Sequence, residues 1–293
     1  MLLACRDKDQ IKATKEMLMA EFEMKELGEA KKILGSEIYR DRKVGILKLS
    51  QGSYIKKVLG NFFMGQSKCV ATPLAMHFKL SSNDSLQKDE EVKQMLDVPY
   101  ANALGSLMYL MVCIMPDLGF DVSVNRDVGR LFGYCSGQNP VVQSYVDSDF
   151  AKDYDRGRSI NGYVFQVFDG VVSWKASLQH VVALPTTEAE FIALTKGVKE
   201  AMWLKSFLTE LGVEVGETLV KCDNIGAIQL SKHQVFHERS KHINVKFHFV
   251  RDVINSKVVK VAYVNTNENL VDMLTKTLPS SKFGYCCNLL QIC

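Results

Sequence analysis

Apolar residues recur at helical spacing in three segments of the first half of the chain, and they alternate with polar residues in a fourth. The helical pattern predicts helices over residues 9–27 and 52–64 and a buried helix over residues 98–114. The alternating pattern, with a turn in its middle, predicts a hairpin over residues 32–49. Residues 67–96 are polar and loop-like, so we interpret them as a boundary.

A different order of elements begins at Val141. Three apolar strands are followed by one long helix, which ends before Gly212, a normal stop signal for a helix. A strand, two helices, a strand and a last helix come after it. The predicted bounds are 141–150, 161–168 and 170–176 for the first strands, 187–211 for the long helix, and 218–222, 225–231, 243–255, 258–264 and 269–278 for the rest. This order is typical of an α/β fold.

The composition is that of a folded protein without a strong charge. Hydrophobic residues make up 47% of the 293 residues and charged residues 24%, which excludes a largely disordered chain. The formal net charge is only +3, so charge alone does not predict tight non-specific binding to nucleic acid. The longest apolar run, residues 103–115, is well short of the ~20 residues of a membrane-spanning helix, so we expect no membrane partner.

The eight cysteines are scattered along the chain and form no C-x-x-C pair. A zinc ribbon is therefore not predicted. Free thiols in a reducing intracellular setting are the simplest interpretation, and the sequence does not distinguish cytoplasm from nucleus.

Four acidic residues occupy positions where carboxylates can act together. Asp147 lies inside a predicted strand, Asp223 directly follows one, and Asp272 begins the last predicted helix. Glu190 heads the apolar stripe of the long helix, so we expect it to face the sheet. Because four acids at one end of a sheet repel one another, divalent cations usually accompany such a cluster, and oxygen ligands favour Mg²⁺ or Mn²⁺.

Each acid also has a purely structural interpretation. Glu190 follows Thr187 by three residues and completes a capping box for the long helix. Asp223 fits an ordinary turn, and Asp272 fits the first turn of an ordinary helix. Asp149 competes with Asp147, because both point to the same face of the strand.

A basic and histidine-rich segment near residue 240 is the second candidate site. Phosphate contacts would explain its charges, and a solvated helix face explains them equally well. The candidate nucleic-acid contacts are Arg239, Lys241, His242, Lys246 and Arg251. Histidines 233, 237, 242 and 248 lie in the same stretch, but no cysteine pair completes a zinc site, so a metal role is the weaker interpretation.

Several long motifs resemble the Pol polyproteins of copia-type LTR retrotransposons. The RNase H region of that family is matched by YVDSDFAKD (145–153), GYVFQVFDGVVSWKASLQ (162–179), TTEAEFIAL (186–194), VKCDNIGAIQL (220–230), HERSKHINVKFHFVRD (237–252) and VAYVNTNENLVDMLTK (261–276). FEMKELGEAKKILGSEIYRD, LSQGSYIKKVL and VPYANALGSLMYLM are similar to the end of its reverse transcriptase and the following connection.

The resemblance implies a fold, an activity and a set of site residues. The expected fold is an RNase H-like mixed sheet with flanking helices, preceded by a truncated α+β remnant of the reverse-transcriptase thumb and connection. The expected activity is hydrolysis of the RNA strand of an RNA/DNA hybrid. By motif, the four carboxylates that hold two Mg²⁺ (or Mn²⁺) ions in the family fall on Asp147, Glu190, Asp223 and Asp272.

The resemblance also implies a division of the chain. Residues 1–66 would be the end of the palm and thumb, 67–140 a shortened connection, 141–280 the RNase H-like domain, and 281–293 a tail. The polymerase motif Tyr-Val-Asp-Asp of the family would lie immediately before Met1, so we expect this chain not to polymerise DNA.

Two other functional hypotheses remain open from the sequence. The chain is alternatively a catalytically inactive remnant that at most binds nucleic acid or a polymerase partner. A more distant hypothesis is a decoy that pairs with an intact polymerase or another Pol-derived chain.

Overall fold

The computed structural model describes residues 7–68, 88–118, 132–135, 141–232 and 244–292, together with single positions at 3, 5, 70, 72, 81, 83, 85 and 86. Its strands are β1 (Lys32–Ile33), β2 (Ser36–Asp41), β3 (Ile46–Ser50), β4 (Phe132–Cys135), β5 (Val142–Asp153), β6 (Arg158–Val167), β7 (Gly170–Leu178), β8 (Thr218–Cys222) and β9 (Val259–Tyr263). Its helices are α1 (Lys8–Glu21), α2 (Gly52–Asn61), α3 (Asp89–Leu96), α4 (Tyr100–Cys113), α5 (Thr186–Glu210), α6 (Ile225–Lys232), α7 (Asn244–Asn255), α8 (Asp272–Thr275) and α9 (Ser280–Leu289). In this described part of the chain, none of the helices has both the length and the apolar character needed to cross a bilayer.

A five-stranded mixed sheet organises the second half. Its strand order is β7–β6–β5–β8–β9. The strands β5, β6 and β7 pair antiparallel, whereas β8 lies parallel to β5 and β9 lies parallel to β8. The connection from β7 to β8 contains α5, and the connection from β8 to β9 contains α6 and α7. This is the RNase H-like mixed sheet with flanking helices that the resemblance implies, and the α/β prediction is confirmed.

Apolar side chains on the two faces of this sheet form two separate cores. One core joins Val146 of β5 to Leu194 of α5. The other joins Tyr145 of β5 to Leu274 of α8 and Phe283 of α9. Alternation along β5 therefore sends neighbouring side chains to helices on opposite sides of the sheet.

The end of α4 completes the second core. Leu110 and Ile114 are 3% and 1% exposed and belong to the same apolar cluster as Tyr145. The indole N–H of Trp174 in β7 donates a hydrogen bond to the carbonyl of Met111 at 2.8 Å. The two halves of the chain consequently share buried surface.

A small sheet lies in the first half, with the order β1–β2–β3–β4. The predicted hairpin is confirmed, because β2 and β3 pair antiparallel from Glu37↔Ser50 to Asp41↔Ile46. The strand predicted before the turn is divided, however, since Leu34 and Gly35 have positive φ angles of 47° and 74° and separate β1 from β2.

Three predictions for the first half are wrong in part. The helix α1 ends at Glu21 and buries no residue, so no packing extends it to residue 27. The helix α3 occupies residues 89–96 of the expected loop, and three acidic residues in its first turn favour its start. The sequence predicts that the helix α4 is buried, but Leu110 is its one buried residue and the other residues of Tyr100–Cys113 are at least partly exposed.

The end of the chain also differs from the predicted pattern. The helix predicted over residues 269–278 is a single turn, α8, preceded by a 3₁₀ turn at Thr266–Glu268. Residues that we expected to form a tail build α9 and pack into the second core. Phe283, Cys286, Cys287 and Ile292 are all buried there.

The shared core makes a testable prediction about stability. We expect Ile114→Ala to lower the free energy of unfolding by about 2–5 kcal/mol, because the change removes a buried side chain and leaves a cavity. Urea denaturation of the full chain, followed by circular dichroism, measures the effect. Val112→Ala is the matched control, since Val112 is 67% exposed and its loss should cost no more than about 0.5 kcal/mol. Equal losses in the two variants would contradict the packing of α4 on the second core.

Candidate active site

Four elements bring the predicted carboxylates together at one edge of the sheet. Val146 of β5 and Cys222 of β8 are register partners in the parallel pair. The residues that follow them, Asp147 and Asp223, therefore lie side by side. Asp272 is the first residue of α8, on one side of the sheet. Glu190 lies in the second turn of α5, on the other side.

The ligand atoms form two groups that share one residue. Carboxylate oxygens of Asp147, Asp223 and Asp272 all lie within 4.8 Å of one another. Ligand atoms of Glu190, Cys222 and Asp223 form a second group at the same spacing. Asp223 stands past the end of its strand, so its carboxylate reaches the acids from both sides of the sheet.

Two glycines allow the helices to approach this edge closely. A side chain at Gly197 of α5 would overlap Val146, so only glycine lets α5 press Glu190 against the sheet here. A Cβ at Gly162 of β6 would lie 2.5 Å from Thr275 Cγ2, in the turn that begins with Asp272. The side-chain amide of Asn269 also donates to the carbonyl of Val146 at 3.1 Å and ties the segment before α8 to β5.

A lysine ammonium occupies the space between two of the carboxylates. Asp147 is fully buried, and its Oδ1 accepts from Lys276 Nζ at 2.8 Å, while its Oδ2 accepts from the Thr275 hydroxyl. The same ammonium donates to Asp272 Oδ1 at 3.0 Å. Lys282 Nζ lies 3.8 Å from Asp272 Oδ2. Two ammonium groups therefore offset part of the negative charge of the oxygen-only group, which we define as Asp147, Asp223 and Asp272.

Burial and mutual repulsion raise the pKa values of three acids at this site. Burial, together with the negative charges of Asp147 and Asp223, raises the pKa of Glu190 to about 9. Burial and the charge of Asp147 raise the pKa of Asp272 to about 6 and also raise the pKa of Asp223. Burial by itself would lower the pKa of Lys276, but the Asp147 and Asp272 carboxylates raise it above its ordinary value. The cluster thus favours bound protons or bound cations.

The capping-box interpretation of Glu190 is wrong. The helix α5 begins at Thr186 after Pro185, and Glu188 Oε2 is the carboxylate oxygen that accepts the Leu184 N–H at 3.1 Å. Glu190 is 8% exposed, and its Oε2 has no hydrogen-bond partner among the described residues. Its side chain therefore points into the acidic cluster, where the apolar stripe predicted it.

The structure places the two competing acids, Asp147 and Asp149, in different surroundings. Asp149 is only partly buried and pairs with Lys152 at 3.6 Å. It belongs to neither of the two ligand groups, whereas Asp147 belongs to the oxygen-only group.

Comparisons with known proteins connect this site to a family. The family model described as reverse transcriptase (RNA-dependent DNA polymerase) matches residues 1–76. The retrovirus-related Pol polyprotein from transposon TNT 1-94 of Nicotiana tabacum is 42% identical over 98% of this chain. The chain belongs to the copia-type retrotransposon Pol polyproteins. The retrovirus-related Pol polyprotein from transposon RE2 of Arabidopsis thaliana is 31% identical over 96% of the chain.

This Pol segment spans about a fifth of the length of these curated relatives, 23% of the first and 20% of the second. A solved structure entitled LC11-RNase H1 in complex with RNA/DNA hybrid aligns with 46% of the segment and 93% of its own chain, at 15% identity and a TM-score of 0.36. The family assignment rests on the Pol relatives and not on this structural similarity.

The predicted nucleic-acid contacts of the Pol segment are described only in part. Arg239, Lys241 and His242 lie outside the described residues, as do histidines 233 and 237. Lys246 lies in the first turn of α7 and is partly exposed. Arg251 is turned towards α6, where its Nη2 donates to the carbonyl of Leu230 at 3.2 Å. This bond gives Arg251 a structural role between two helices.

Sequence reasoning missed three groups of this site. Lys276 and Thr275 both contact Asp147, and Cys222 belongs to the second ligand group. The position of Lys276, four residues after Asp272 in a predicted helix, was a usable signal for a contact between them. The sequence gave no such signal for Cys222, because side chains alternate along a strand and Cys222 is expected to point away from the neighbouring Asp223.

The raised pKa of Glu190 leads to a prediction of how the stability of the protein depends on pH. Burial and the neighbouring acids raise the pKa of Glu190 to about 9 in the native state, against 4.5 for an unperturbed glutamate, so the native state binds more protons in this interval. The free energy of unfolding of the metal-free protein should therefore fall as pH rises from about 5 to 9. Glu190→Gln should flatten this slope, as measured by urea denaturation at a series of pH values.

Glu210→Gln, at the exposed end of α5, is the control and should leave the pH dependence unchanged. If the free energy of unfolding of Glu190→Gln still falls steeply as pH rises, the pH dependence does not come from the protonation of Glu190.

Proposed function

We propose that this segment hydrolyses the RNA strand of RNA/DNA hybrids, with divalent metal ions held by Asp147, Glu190, Asp223 and Asp272. The observation that carries the proposal is the fully buried carboxylate of Asp147, which meets Asp223 and Asp272 within 4.8 Å although the three residues come from separate elements. Membership of the Pol family and the RNase H-like sheet support the same activity.

The donor set fits Mg²⁺ or Mn²⁺. Every ligand atom of the group formed by Asp147, Asp223 and Asp272 is a carboxylate oxygen, the ligand type that these hard cations prefer. Glu190 adds a buried oxygen without a hydrogen-bond partner in the described structure. Burial and the negative charges of neighbouring acids raise the pKa values of Glu190 and Asp272, although Lys276 lowers both. An acidic site in this condition is stabilised by cations.

Each residue has a distinct task in the proposed reaction. When bound, divalent ions supply a water of lowered pKa and positive charge for the leaving oxygen of a phosphodiester. Asp147 presents two oxygens from a rigid strand interior, and Asp223 serves both ligand groups. Lys276 bridges Asp147 and Asp272. If divalent ions took over these oxygens, its ammonium would become available to a substrate phosphate. Thr275 keeps the Asp147 carboxylate oriented through its hydroxyl.

The proposed substrate follows from the family, and two of the predicted nucleic-acid contacts, Lys246 and Arg251, lie within the described residues. Proteins distinguish RNA from DNA by contacts with the 2′-hydroxyl and by the shape of the minor groove. Lys246 is partly exposed, and its pKa is lowered by burial and by the charge of nearby Lys199, against the opposing effect of the Glu188 carboxylate. A phosphate beside Lys246 would reduce that repulsion and favour binding.

Asp147→Asn provides the direct test of this activity. We expect the change to reduce Mg²⁺-dependent cleavage of the RNA strand of a labelled hybrid by about 10²-fold or more, because metal ions supply several kcal/mol of transition-state stabilisation. Gel analysis of the cleavage products, with hybrid and Mg²⁺ in excess, measures the rate.

Asp149→Asn is the matched control, since Asp149 lies on the same strand but outside the ligand groups and should retain cleavage within a few-fold. The absence of cleavage by the folded wild-type chain would contradict the proposal. That result would favour an inactive remnant that at most binds nucleic acid or a polymerase partner.

A further inference from the structure

A sulfur atom lies among the oxygen ligands of the second group. Cys222 is the last residue of β8, and its side chain is fully buried. Its Sγ and the ligand oxygens of Glu190 and Asp223 lie within 4.8 Å of one another. The backbone N–H of Asn224 donates to this sulfur at 3.4 Å. The thiol is therefore fixed beside the two carboxylates.

The unsatisfied oxygen of Glu190 is an independent sign of a missing ligand. Oε2 of this residue has no hydrogen-bond partner among the described residues, although the side chain is 8% exposed. A buried acceptor without a partner costs about 1–3 kcal/mol, and more when it is charged. A cation between Glu190, Cys222 and Asp223 would provide the missing partner.

The two ligand groups differ in their chemical preference. The group formed by Asp147, Asp223 and Asp272 offers oxygen alone, and Lys276 bridges two of its acids. The group formed by Glu190, Cys222 and Asp223 offers one sulfur and two carboxylates, and Oε2 of Glu190 has no hydrogen-bond partner among the described residues. Thiolate ligands select soft or borderline cations, whereas carboxylates alone suit Mg²⁺.

We propose that Glu190, Cys222 and Asp223 bind one thiophilic divalent cation of the Zn²⁺ or Cd²⁺ type. Three protein ligands leave a fourth position for water, as in open zinc sites. The thiol proton passes to solvent when the metal–sulfur bond forms. This inference deepens the proposed function, because the site shares Asp223 with the oxygen-only group and a bound thiophilic cation therefore competes with the Mg²⁺ ions.

Titration of the reduced, metal-free full chain with Cd²⁺ tests the inference. The cadmium–thiolate bond has an ultraviolet charge-transfer absorption that reports ligation by sulfur directly. We expect this absorption to grow as one equivalent binds and to be lost in Cys222→Ser. Glu190→Gln should weaken Cd²⁺ binding about tenfold or more, since the loss of one ligand removes a large part of the metal affinity.

Cys113→Ser is the matched control, because this thiol lies in α4, away from both ligand groups, and the absorption should persist. Circular dichroism confirms that each variant is folded, and Glu190→Gln carries the test if the buried Cys222 tolerates no replacement. Undiminished absorption in Cys222→Ser, or unchanged Cd²⁺ affinity in Glu190→Gln, would overturn the site.

The titration separates this inference from the proposed function. A Cys222-dependent absorption in a chain that cleaves no hybrid would support the thiophilic site and remove the nuclease activity. Mg²⁺-dependent cleavage by a chain that shows no Cys222-dependent absorption would overturn the thiophilic site alone.

Discussion

The ammonium of Lys276 lies between the buried carboxylates of Asp147 and Asp272 and is the charge that allows two acids to sit side by side beneath the surface. Removing one partner from a buried ion pair costs about 3–5 kcal/mol, because the charge that remains has lost both its water and its counter-ion. The same arrangement provides the means of exchange with a metal. In the proposed function, a divalent cation at these oxygens would take the place of the lysine, which holds Asp147 and Asp272 together here.

The fold produces this proximity by joining elements from both faces of one sheet. The parallel pair β5 and β8 sets Asp147 beside Asp223. Close approach at Gly197 brings Glu190 from one face, and close approach at Gly162 brings the turn of Asp272 from the other. Both cores therefore support the site. The second core depends on α4 and α9 as well, which extends the structural unit beyond residues 141–280 in both directions.

The sequence pattern predicted the elements that carry strong periodicity and missed those that depend on tertiary packing. The long apolar stripe of α5 was sufficient to predict that Glu190 faces the sheet, whereas alternation in β5 left Asp147 and Asp149 as competing candidates on one face. The short helix α8 was predicted with bounds that are too long. The helix α9 was expected to be a tail, because Gly284 and two cysteines give residues 280–289 a weak pattern; Phe283, Cys286 and Cys287 pack into the second core. The ligand role of Cys222 was invisible for a similar reason, since alternation places it on the core face and says nothing of Glu190 above it.

A crystal structure of the full chain grown with Mn²⁺, with anomalous difference maps measured at the manganese absorption edge, tests the central claim most directly. We expect a peak bounded by the carboxylates of Asp147, Asp223 and Asp272, with Lys276 displaced from its position between the two acids. A map without a peak at these oxygens, and with Lys276 still bonded to Asp147 and Asp272, would contradict a metal site at this edge of the sheet.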